Sequence, residues 1–255
     1  MTGAPQQVFD FHVRLLPSEG ALERLLNALD RNGIDRAVAC AAGMIRPDVL
    51  SRQLIEGGHV RTSANNDAVL AGCAASNGRL VPFYFANPHD PVELYQARAA
   101  EFRGLEISPA VHGVELTDQR VHQLVEVAAA HRHPVYAVGV QRAGCGVAEF
   151  AKLARQFPDL PFVLGHLGIG QIDFHGVNLI RDVDNALVET SGGYSSVAMA
   201  AVERLGAHRV LFGSEYPMQD PSLELLKIQV LGLDQPQLEL VMSGNARRLL
   251  GEEQP

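Results

Sequence analysis

Short apolar segments rich in β-branched and aromatic residues alternate with longer segments of helical periodicity along the whole chain. Such an alternation is typical of parallel sheets, because each helix carries the chain back to the start of the next strand. Eight strands are predicted, at residues 8–15, 36–42, 80–86, 104–108, 134–139, 161–167, 187–191 and 209–214. The pattern therefore predicts an α/β protein.

Helical segments lie between most of these strands and after the last one. They are predicted at residues 21–31, 91–102, 118–131, 147–157, 196–205 and 221–230, with a C-terminal helix at residues 235–250. Eight strand–helix units in 255 residues, with no Ser/Pro-rich linker between them, favour one closed barrel over two open sheets. We predict a single (β/α)8 TIM barrel domain over residues 1–255.

Residues 45–62, after the second strand, form the longest segment without clear periodicity. In a barrel this segment follows the carboxyl end of a strand, which is the face where active sites are built. We expect it to act as a lid or an interface. Arg46, Arg52 and Arg61 are candidate anion contacts there, and solvated surface charge is the alternative for each.

The overall charge narrows the classes of partner. The chain carries 29 acidic and 21 basic residues, which gives a formal net charge of −8. No segment concentrates basic residues as binding to a nucleic-acid backbone requires, so nucleic acid is not an expected partner. No segment is apolar over the thickness of a bilayer, so we expect no membrane association and predict a soluble, cytoplasmic protein.

Cysteine and lysine are both scarce. Cys40, Cys73 and Cys145 are odd in number and include no CxxC pair, which favours small buried core residues over disulfides or a thiolate zinc site. Lys152 and Lys227 are the only lysines, and both lie in predicted helices. A Schiff-base lysine at a strand end is therefore not expected.

His12 and Arg14 lie on the same face of the first strand, because side chains alternate along a strand. Both are costly to bury without partners. A catalytic role for His12 and a substrate-binding role for Arg14 are predicted, and a hydrogen-bonded structural histidine is the alternative.

His166 is the only polar side chain near the end of the apolar sixth strand, and Glu215 ends the eighth strand. A barrel places both at its mouth. Because the eighth strand lies beside the first in a closed barrel, Glu215 could reach His12 and Arg14. We predict catalytic roles for His166 and Glu215, and a purely structural ion pair between Arg14 and Glu215 is the alternative.

The fourth strand adds two weaker candidates. Glu106 either points inward as a second carboxylate of the site or outward as a solvated charge, and the sequence leaves both open. His112 follows this strand in a predicted loop. Both residues are candidate substrate contacts.

Several segments, in their order and spacing, resemble the amidohydrolase-related family of the amidohydrolase superfamily. They lie at residues 9–12, 157–168, 189–192, 211–217 and 244–250, so the resemblance extends over nearly the whole chain. It implies a barrel enzyme that acts on a small molecule, with His166 as an acid or base near the substrate. A binuclear relative would need a carbamylated lysine at an inner strand end, which the positions of the two lysines exclude.

The chain departs from the metal ligands of that family. The family pattern has His-x-His on the first strand, a histidine on the fifth and an aspartate on the eighth, whereas this chain has Arg14, Val138 and Glu215 at three of these places. A guanidinium has no free lone pair and stays positively charged, so it cannot ligate a cation. The usual metal centre, and with it any cofactor, is therefore not expected.

A rearranged centre is the alternative. His12, His166 and Glu215 would give the two imidazoles and one carboxylate that zinc or another divalent metal accepts, with Glu106 as a fourth ligand.

Three functions remain open. The first is metal-independent hydrolysis of a lactone or amide bond in a small carboxylated or cyclic substrate, as the resemblance to 2-pyrone-4,6-dicarboxylate lactonase implies. Arg14 would then bind a carboxylate or oxyanion, Glu215 would act as base and His166 as acid. The second is a decarboxylase-type lyase in which His166 protonates a carbanion. The third is a non-catalytic barrel that binds a small molecule, and a homodimer is compatible with all three.

Overall fold

The computed structural model describes residues 7–170 and 172–252. Its strands are all parallel to their neighbours, and each pairs with the next one in sequence order within two sheets. They are β1 Phe9–Leu15, β2 Arg36–Ala41, β3 Leu80–Pro82, β4 Tyr84–Ala86, β5 Leu105–Ile107, β6 Val135–Ala137, β7 Phe162–Leu164, β8 Ala186–Glu189 and β9 Val210–Leu211.

The two sheets join into one barrel. β3 and β4 are halves of a single barrel strand, since only Phe83 separates them and its amide still donates to Ala39 of β2 at 3.0 Å. At the other seam, the amide of Phe11 donates to the Phe212 carbonyl at 2.8 Å, and that of Glu215 donates to the His12 carbonyl at 2.8 Å. The predicted eight-stranded (β/α)8 barrel is confirmed.

The helices surround this barrel. They are α1 Ala21–Arg31, α2 Pro47–Glu56, α3 Asn66–Ala75, α4 Glu93–Gln96, α5 Pro109–His112, α6 Gln119–His131, α7 Val147–Gln156, α8 Phe174–Leu179, α9 Ser195–Leu205, α10 Pro221–Gln229, α11 Gln235–Glu239 and α12 Asn245–Leu249. A π-helical turn, Leu240–Gly244, joins α11 to α12, so the predicted C-terminal helix is one continuous helical segment. Within the described residues, none of these helices is both long and apolar enough to cross a membrane.

Helices α2, α3, α5 and α8 were not predicted, and α5 includes His112, which was expected in a loop. The helix expected at residues 91–102 shortens to α4 and a 3-10 turn at Ala99–Glu101. Only Gln53 is buried in α2, so no apolar stripe marks this helix. It begins with Pro47 at a position where proline favours helix initiation. Tertiary contacts therefore stabilise α2 more than its own periodicity does.

Those contacts hold the segment at residues 45–62 on the mouth face of the barrel. The Gln53 amide donates to the carbonyls of Ala110 and Val111 in α5, at 2.6 and 3.0 Å. The backbone amide of Val60 donates to Val111 as well, at 3.0 Å. The segment is thus docked against α5, the short helix that follows β5. Its role as a lid or an interface stays a prediction.

A register shift in β1 decides which side chains enter the barrel. Phe9 and Phe11 pack in the interior cluster, but after the irregularity between Asp10 and Val13 the residues Val13 and Leu15 face the helices. A bulge of this kind re-aims the side chains that follow it. The even-numbered residues His12 and Arg14 consequently point inward above the two phenylalanines.

The interior therefore has two layers. The lower layer is apolar and consists of Phe9, Phe11, Val38, Val81, Phe83, Val163, Leu187 and Leu211. The upper layer, towards the carboxyl ends of the strands, consists of His12, Arg14, Cys40, Glu106, Tyr136, His166, Glu189 and Glu215.

Candidate active site

An ion pair between Arg14 and Glu106 crosses the upper layer. Arg14 donates from Nη1 to Oε2 at 3.1 Å and from Nη2 to Oε1 at 2.8 Å, which is a two-bond fork. Glu106 is fully buried; burial by itself would raise the pKa of its carboxyl, but Arg14 and His12 lower it to about 2. Glu106 thus points inward, and the fork of Arg14 is already occupied by a protein carboxylate.

Glu215 lies on the other side of the same guanidinium. Its Oε1 is 3.9 Å from Arg14 Nε, so it is the more distant of the two carboxylates. The sequence left open a structural ion pair between Arg14 and Glu215. In the structure the shorter contacts of Arg14 are with Glu106.

His12 is buried next to this pair, and neither of its ring nitrogens has a hydrogen-bond partner among the described residues. Its Nε2 is 3.7 Å from Glu106 Oε1, beyond hydrogen-bond distance. The ring stacks on Tyr136, with centroids 4.3 Å apart and planes 10° from parallel. Burial, with the nearby charge of Arg14, lowers the pKa of His12, so the neutral imidazole is favoured.

His166 is held from behind by a short chain of hydrogen bonds. The Ser191 hydroxyl donates to Glu189 Oε2 at 2.9 Å, and His166 Nδ1 lies 2.8 Å from that hydroxyl oxygen. A hydroxyl has one proton to donate, so Ser191 accepts from His166 and Nδ1 carries the hydrogen. Neutral His166 therefore presents the lone pair of Nε2 to the barrel mouth.

Glu189 connects the two histidines. Its buried carboxylate accepts the Tyr136 hydroxyl at 2.8 Å and the backbone amide of His166 at 3.2 Å, besides the Ser191 hydroxyl. Burial alone would raise its pKa, but the adjacent His166 and His12 and these hydrogen bonds bring the pKa below the usual value. Tyr136 in turn stacks on His12, so one carboxylate helps to fix both imidazoles.

His166 and Glu215 are the pair that a small molecule could reach. His166 Nε2 is 3.5 Å from Glu215 Oε1, and their side chains are 19% and 25% exposed. Both stand on loops just after their strands, with φ values of 59° and 55°, a left-handed conformation that non-glycine residues adopt rarely. The loops thus turn both side chains towards each other at the mouth.

Asp10 lies beside the cluster on β1. Its Oδ1 accepts the backbone amides of Ser214 at 2.9 Å and His12 at 3.1 Å, whereas Oδ2 is buried without a partner among the described residues. Burial raises the pKa of Asp10 to about 7.

Other sequence candidates lie outside the cluster. His112 is buried in α5, where its Nε2 contacts the Thr62 carbonyl at 3.2 Å, so it supports the docked segment at residues 45–62. Arg46 is exposed and pairs with Asp48, and Arg52 and Arg61 are also exposed. Their proposed substrate contacts stay predictions.

The two lysines do not enter the upper layer. Lys152 is exposed on α7, beside Glu149. Lys227, on α10, donates to the carbonyls of Thr190 and Gly193 at 2.6 and 2.9 Å and so braces the loop after β8.

Tyr136 and Glu189 were not among the predicted site residues, and Cys40 was predicted to be an ordinary core residue. Tyr136 and Glu189 are the inward members of β6 and β8, and Glu189 lies two residues after the interior Leu187. A polar residue at an inward position of a buried strand was the available signal.

The donor atoms of the upper layer could hold a metal ion in two ways. One group is His12, His166 and Glu215, and the other is His12, Cys40 and Glu106; within each group the donor atoms lie within 4.8 Å of one another. The unpartnered nitrogens of His12 and the mixture of imidazole and carboxylate suit a divalent ion.

The net charge of the upper layer also suits a bound cation. Glu106, Glu189 and Glu215 contribute three carboxylates to the layer, and Arg14 is the only guanidinium among them. With neutral histidines this leaves about two negative charges, which one divalent ion would balance. The expectation of a metal-free centre is therefore not supported by this donor set, even though Arg14 opposes a cation.

The closed (β/α)8 barrel carries candidate acid, base and metal-ligating side chains at its mouth. This arrangement is typical of enzymes with the TIM-barrel fold. Residues 9–251 match the family model described as amidohydrolase. The chain belongs to the amidohydrolase family. A search of curated proteins finds no match.

Solved structures share the fold at low sequence identity. The 5-carboxyvanillate decarboxylase of Sphingomonas paucimobilis is 16% identical with a TM-score of 0.71, over 97% of this chain and 100% of that chain. A candidate 2-pyrone-4,6-dicarboxylic acid hydrolase from Pseudomonas putida is 17% identical with a TM-score of 0.72, over 99% of this chain and 100% of that chain. These likenesses confirm the fold.

A third neighbour with the same fold is a manganese complex. The 5-carboxyvanillate decarboxylase of Novosphingobium aromaticivorans, in complex with manganese and a nitrobenzoic acid, is 14% identical with a TM-score of 0.72, over 97% of this chain and 96% of that chain. Decarboxylases and a hydrolase thus share this barrel, and at least one of them is a manganese complex.

Proposed function

We propose that this chain is an enzyme that hydrolyses a lactone or amide bond of a small cyclic substrate at the barrel mouth. The observation that carries the proposal is the pair formed by His166 Nε2 and Glu215 Oε1. Their separation of 3.5 Å is long for a direct hydrogen bond. Their side chains are also the most exposed among the ion pairs of the upper layer, at 19% and 25%. A water or a substrate atom between them would bond to both.

The tautomer of His166 sets the proton path. With hydrogen on Nδ1, held by Ser191 and Glu189, the Nε2 lone pair accepts a proton from an attacking water. Glu215 faces the imidazolium that forms, and Nε2–H then donates to the leaving oxygen or nitrogen of the substrate. His166 therefore acts first as base and then as acid, whereas the sequence-based hypothesis assigned the base to Glu215.

Arg14 does not bind the substrate in this proposal. Both of its terminal nitrogens donate to Glu106, so its fork is not free for a substrate carboxylate. The surplus of negative charge in the upper layer also disfavours an anionic substrate in the metal-free protein. A neutral lactone or cyclic amide fits this charge better, and a carboxylated substrate would be favoured once a cation is bound.

A divalent ion fits the donors His12, His166 and Glu215 and would supply a Lewis acid for a carbonyl or carboxylate oxygen. In that form Nε2 of His166 would be a ligand, and its lone pair would not be available as a base. Metal content therefore separates two roles of His166, and replacing this residue would lower both activity and metal content only in the metal-bound form.

A decarboxylase is the second candidate, because two of the similar structures are decarboxylases of aromatic carboxylates. Here His166, protonated on Nε2, would donate a proton to the carbanion left by CO2. A cation that does not use Nε2 of His166 as a ligand would favour this candidate, since its charge would attract the substrate carboxylate.

A substrate panel tests the proposal. Five- and six-membered lactones, cyclic amides and hydroxybenzoates are incubated with the protein in a chelator and with added Mn2+ or Zn2+, while acid release and CO2 release are followed. We expect acid release from a lactone or amide, and a loss of about 10²–10⁴ in kcat/KM for His166→Asn and Glu215→Gln.

The exposed residues His175 and Glu203 provide matched controls, because H175N and E203Q make the same chemical changes outside the upper layer. CO2 release without hydrolysis would establish the second candidate instead. Binding of panel compounds with no turnover, unaffected by His166→Asn or Glu215→Gln, would favour a non-catalytic barrel.

A further inference from the structure

Cys40 differs in surroundings from the other two cysteines. Cys73 lies on the buried side of α3. Cys145 lies in a loop, where its sulfur is 3.9 Å from the Val114 carbonyl. Cys40 is fully buried on β2, which pairs with β1 so that Cys40 is opposite Arg14. Its side chain packs with the interior apolar cluster, and its sulfur also lies near donor atoms of His12 and Glu106.

Cys40 belongs to a complete set of metal donors. Its Sγ, a ring nitrogen of His12 and a carboxylate oxygen of Glu106 all lie within 4.8 Å of one another, and all three side chains are buried. Such a spread lets one ion contact all three after small side-chain movements. Three protein ligands with one open position are a common arrangement for zinc.

His12 provides an independent indication of a ligand. The imidazole is completely buried, yet neither ring nitrogen has a hydrogen bond among the described residues. A buried polar ring without partners is costly and rare in folded proteins. An ion beside Nε2, in the space between His12 and Glu106, would satisfy one of these nitrogens.

Glu106 can serve such an ion while it keeps its fork with Arg14. A carboxylate offers about four lone pairs, and Arg14 uses two of them. The charge of Arg14 repels a cation, but Glu106, Glu189 and Glu215 outweigh it before the thiolate is counted. Binding would displace the thiol proton, as metal binding to cysteine does in general.

We propose that His12, Cys40 and Glu106 form a second donor set, which binds a borderline-soft divalent ion such as Zn2+ or Co2+. The thiolate makes this set a better ligand for such ions than for Mn2+, which prefers oxygen and imidazole donors. The inference goes beyond the proposed function, and it leaves His166 and Glu215 free for proton transfer. Its test measures binding rather than turnover, so it succeeds or fails separately.

Cobalt is the probe, because a Co2+–thiolate bond absorbs in the near ultraviolet by charge transfer and Co2+ accepts the same ligands as Zn2+. The full chain is freed of metal with a chelator, the chelator is removed, and Co2+ is added in steps. We expect a thiolate charge-transfer band that saturates at one Co2+ per chain. Cys40→Ser should remove the band, while Cys73→Ser and Cys145→Ser should retain it.

A further variant separates the two donor sets. Glu215 belongs only to the set with His166, so Glu215→Gln should keep the band if Cys40 is a ligand. Co2+ binding without the band, no Co2+ binding, or a band that survives Cys40→Ser would each overturn the inference. If Cys40→Ser does not fold, X-ray absorption of the zinc-loaded natural chain decides the matter, since one Zn–S distance of about 2.3 Å is expected.

Discussion

The lower and upper layers of the barrel interior are built on the same strands and have opposite chemistry. Along β1, Phe9 and Phe11 fill the lower layer, whereas His12 and Arg14 enter the upper one. The lower layer is stabilised by removal of apolar surface from water. Most of the upper layer is also buried, but its charges are only partly paired, since three carboxylates face the single guanidinium of Arg14. Burial alone therefore does not tell which layer supports the fold and which supports chemistry.

The largest expected effect comes from removing the one guanidinium of the upper layer. Arg14→Met leaves Glu106 buried without its counter-charge, which we expect to lower the free energy of unfolding by about 3–5 kcal/mol. The double variant Arg14→Met with Glu106→Gln should recover most of this loss, because no uncompensated charge remains. Urea unfolding of the two single variants and the double variant in metal-free buffer measures it. Equal losses in Arg14→Met and the double variant would mean that packing, not charge, dominates.

A change of comparable type in the lower layer should behave differently. Leu187→Ala removes a buried apolar side chain and should lower the free energy of unfolding by about 2–5 kcal/mol. No charge is involved, so the loss should not vary with pH or be recovered by a change in a neighbouring carboxylate. Urea unfolding at several pH values checks this. A pH-dependent loss would show that the two layers are coupled.

The barrel could be predicted from the sequence, but only part of the difference between the lower and upper layers could. The alternation of apolar segments and helices was enough for the number and order of the strands. It also placed His166 and Glu215 at strand ends and directed His12 and Arg14, on the first strand, towards the barrel mouth. The structure brings these four together at one end of the barrel. Strand ends meet there in any closed barrel, which is why they could be predicted without contacts.

The inward or outward choice at Glu106 and the part played by Glu189 could not be obtained in the same way. Whether a strand residue points into or out of the barrel depends on the register of the strand. One irregular position reverses the direction of the side chains that follow it, as the shift between Asp10 and Val13 does in β1. The pairing of Arg14 with Glu106 joins residues 92 apart in sequence. Only the closed barrel brings the side chains of these two residues into contact.

Asp10 tests the electrostatics of the same strand through the pH dependence of stability. Burial raises its pKa from 3.8 to about 7, so between these values the folded chain holds a proton that the unfolded chain releases. The free energy of unfolding should then fall as pH rises through this window, by up to about 1.4 kcal/mol for each unit of pKa difference. Asp10→Asn removes this titration and should flatten the slope.

The measurement is urea unfolding of metal-free protein at about pH 5 and about pH 8. Most of the predicted fall in the free energy of unfolding lies between these two pH values. Asparagine keeps an oxygen for the amides of Ser214 and His12, so the backbone contacts of Asp10 are conserved. The natural chain should be less stable at the higher pH relative to Asp10→Asn. A parallel pH dependence in both proteins would contradict the raised pKa.

The smallest effect concerns the hydrogen bond that fixes the tautomer of His166, a contact that has no counterpart in the lower layer. Ser191→Ala removes the acceptor of Nδ1–H, so we expect kcat/KM on a substrate from the panel to fall about 10–100-fold, as for other residues that orient a catalytic imidazole. Ser191→Thr keeps the hydroxyl and should retain most activity. Imidazole 15N NMR of the metal-free protein, which does not depend on turnover, should show the Nδ1–H form in the natural chain and a mixture in Ser191→Ala. Loss of activity without any change in tautomer would mean that Ser191 acts by a route other than holding His166.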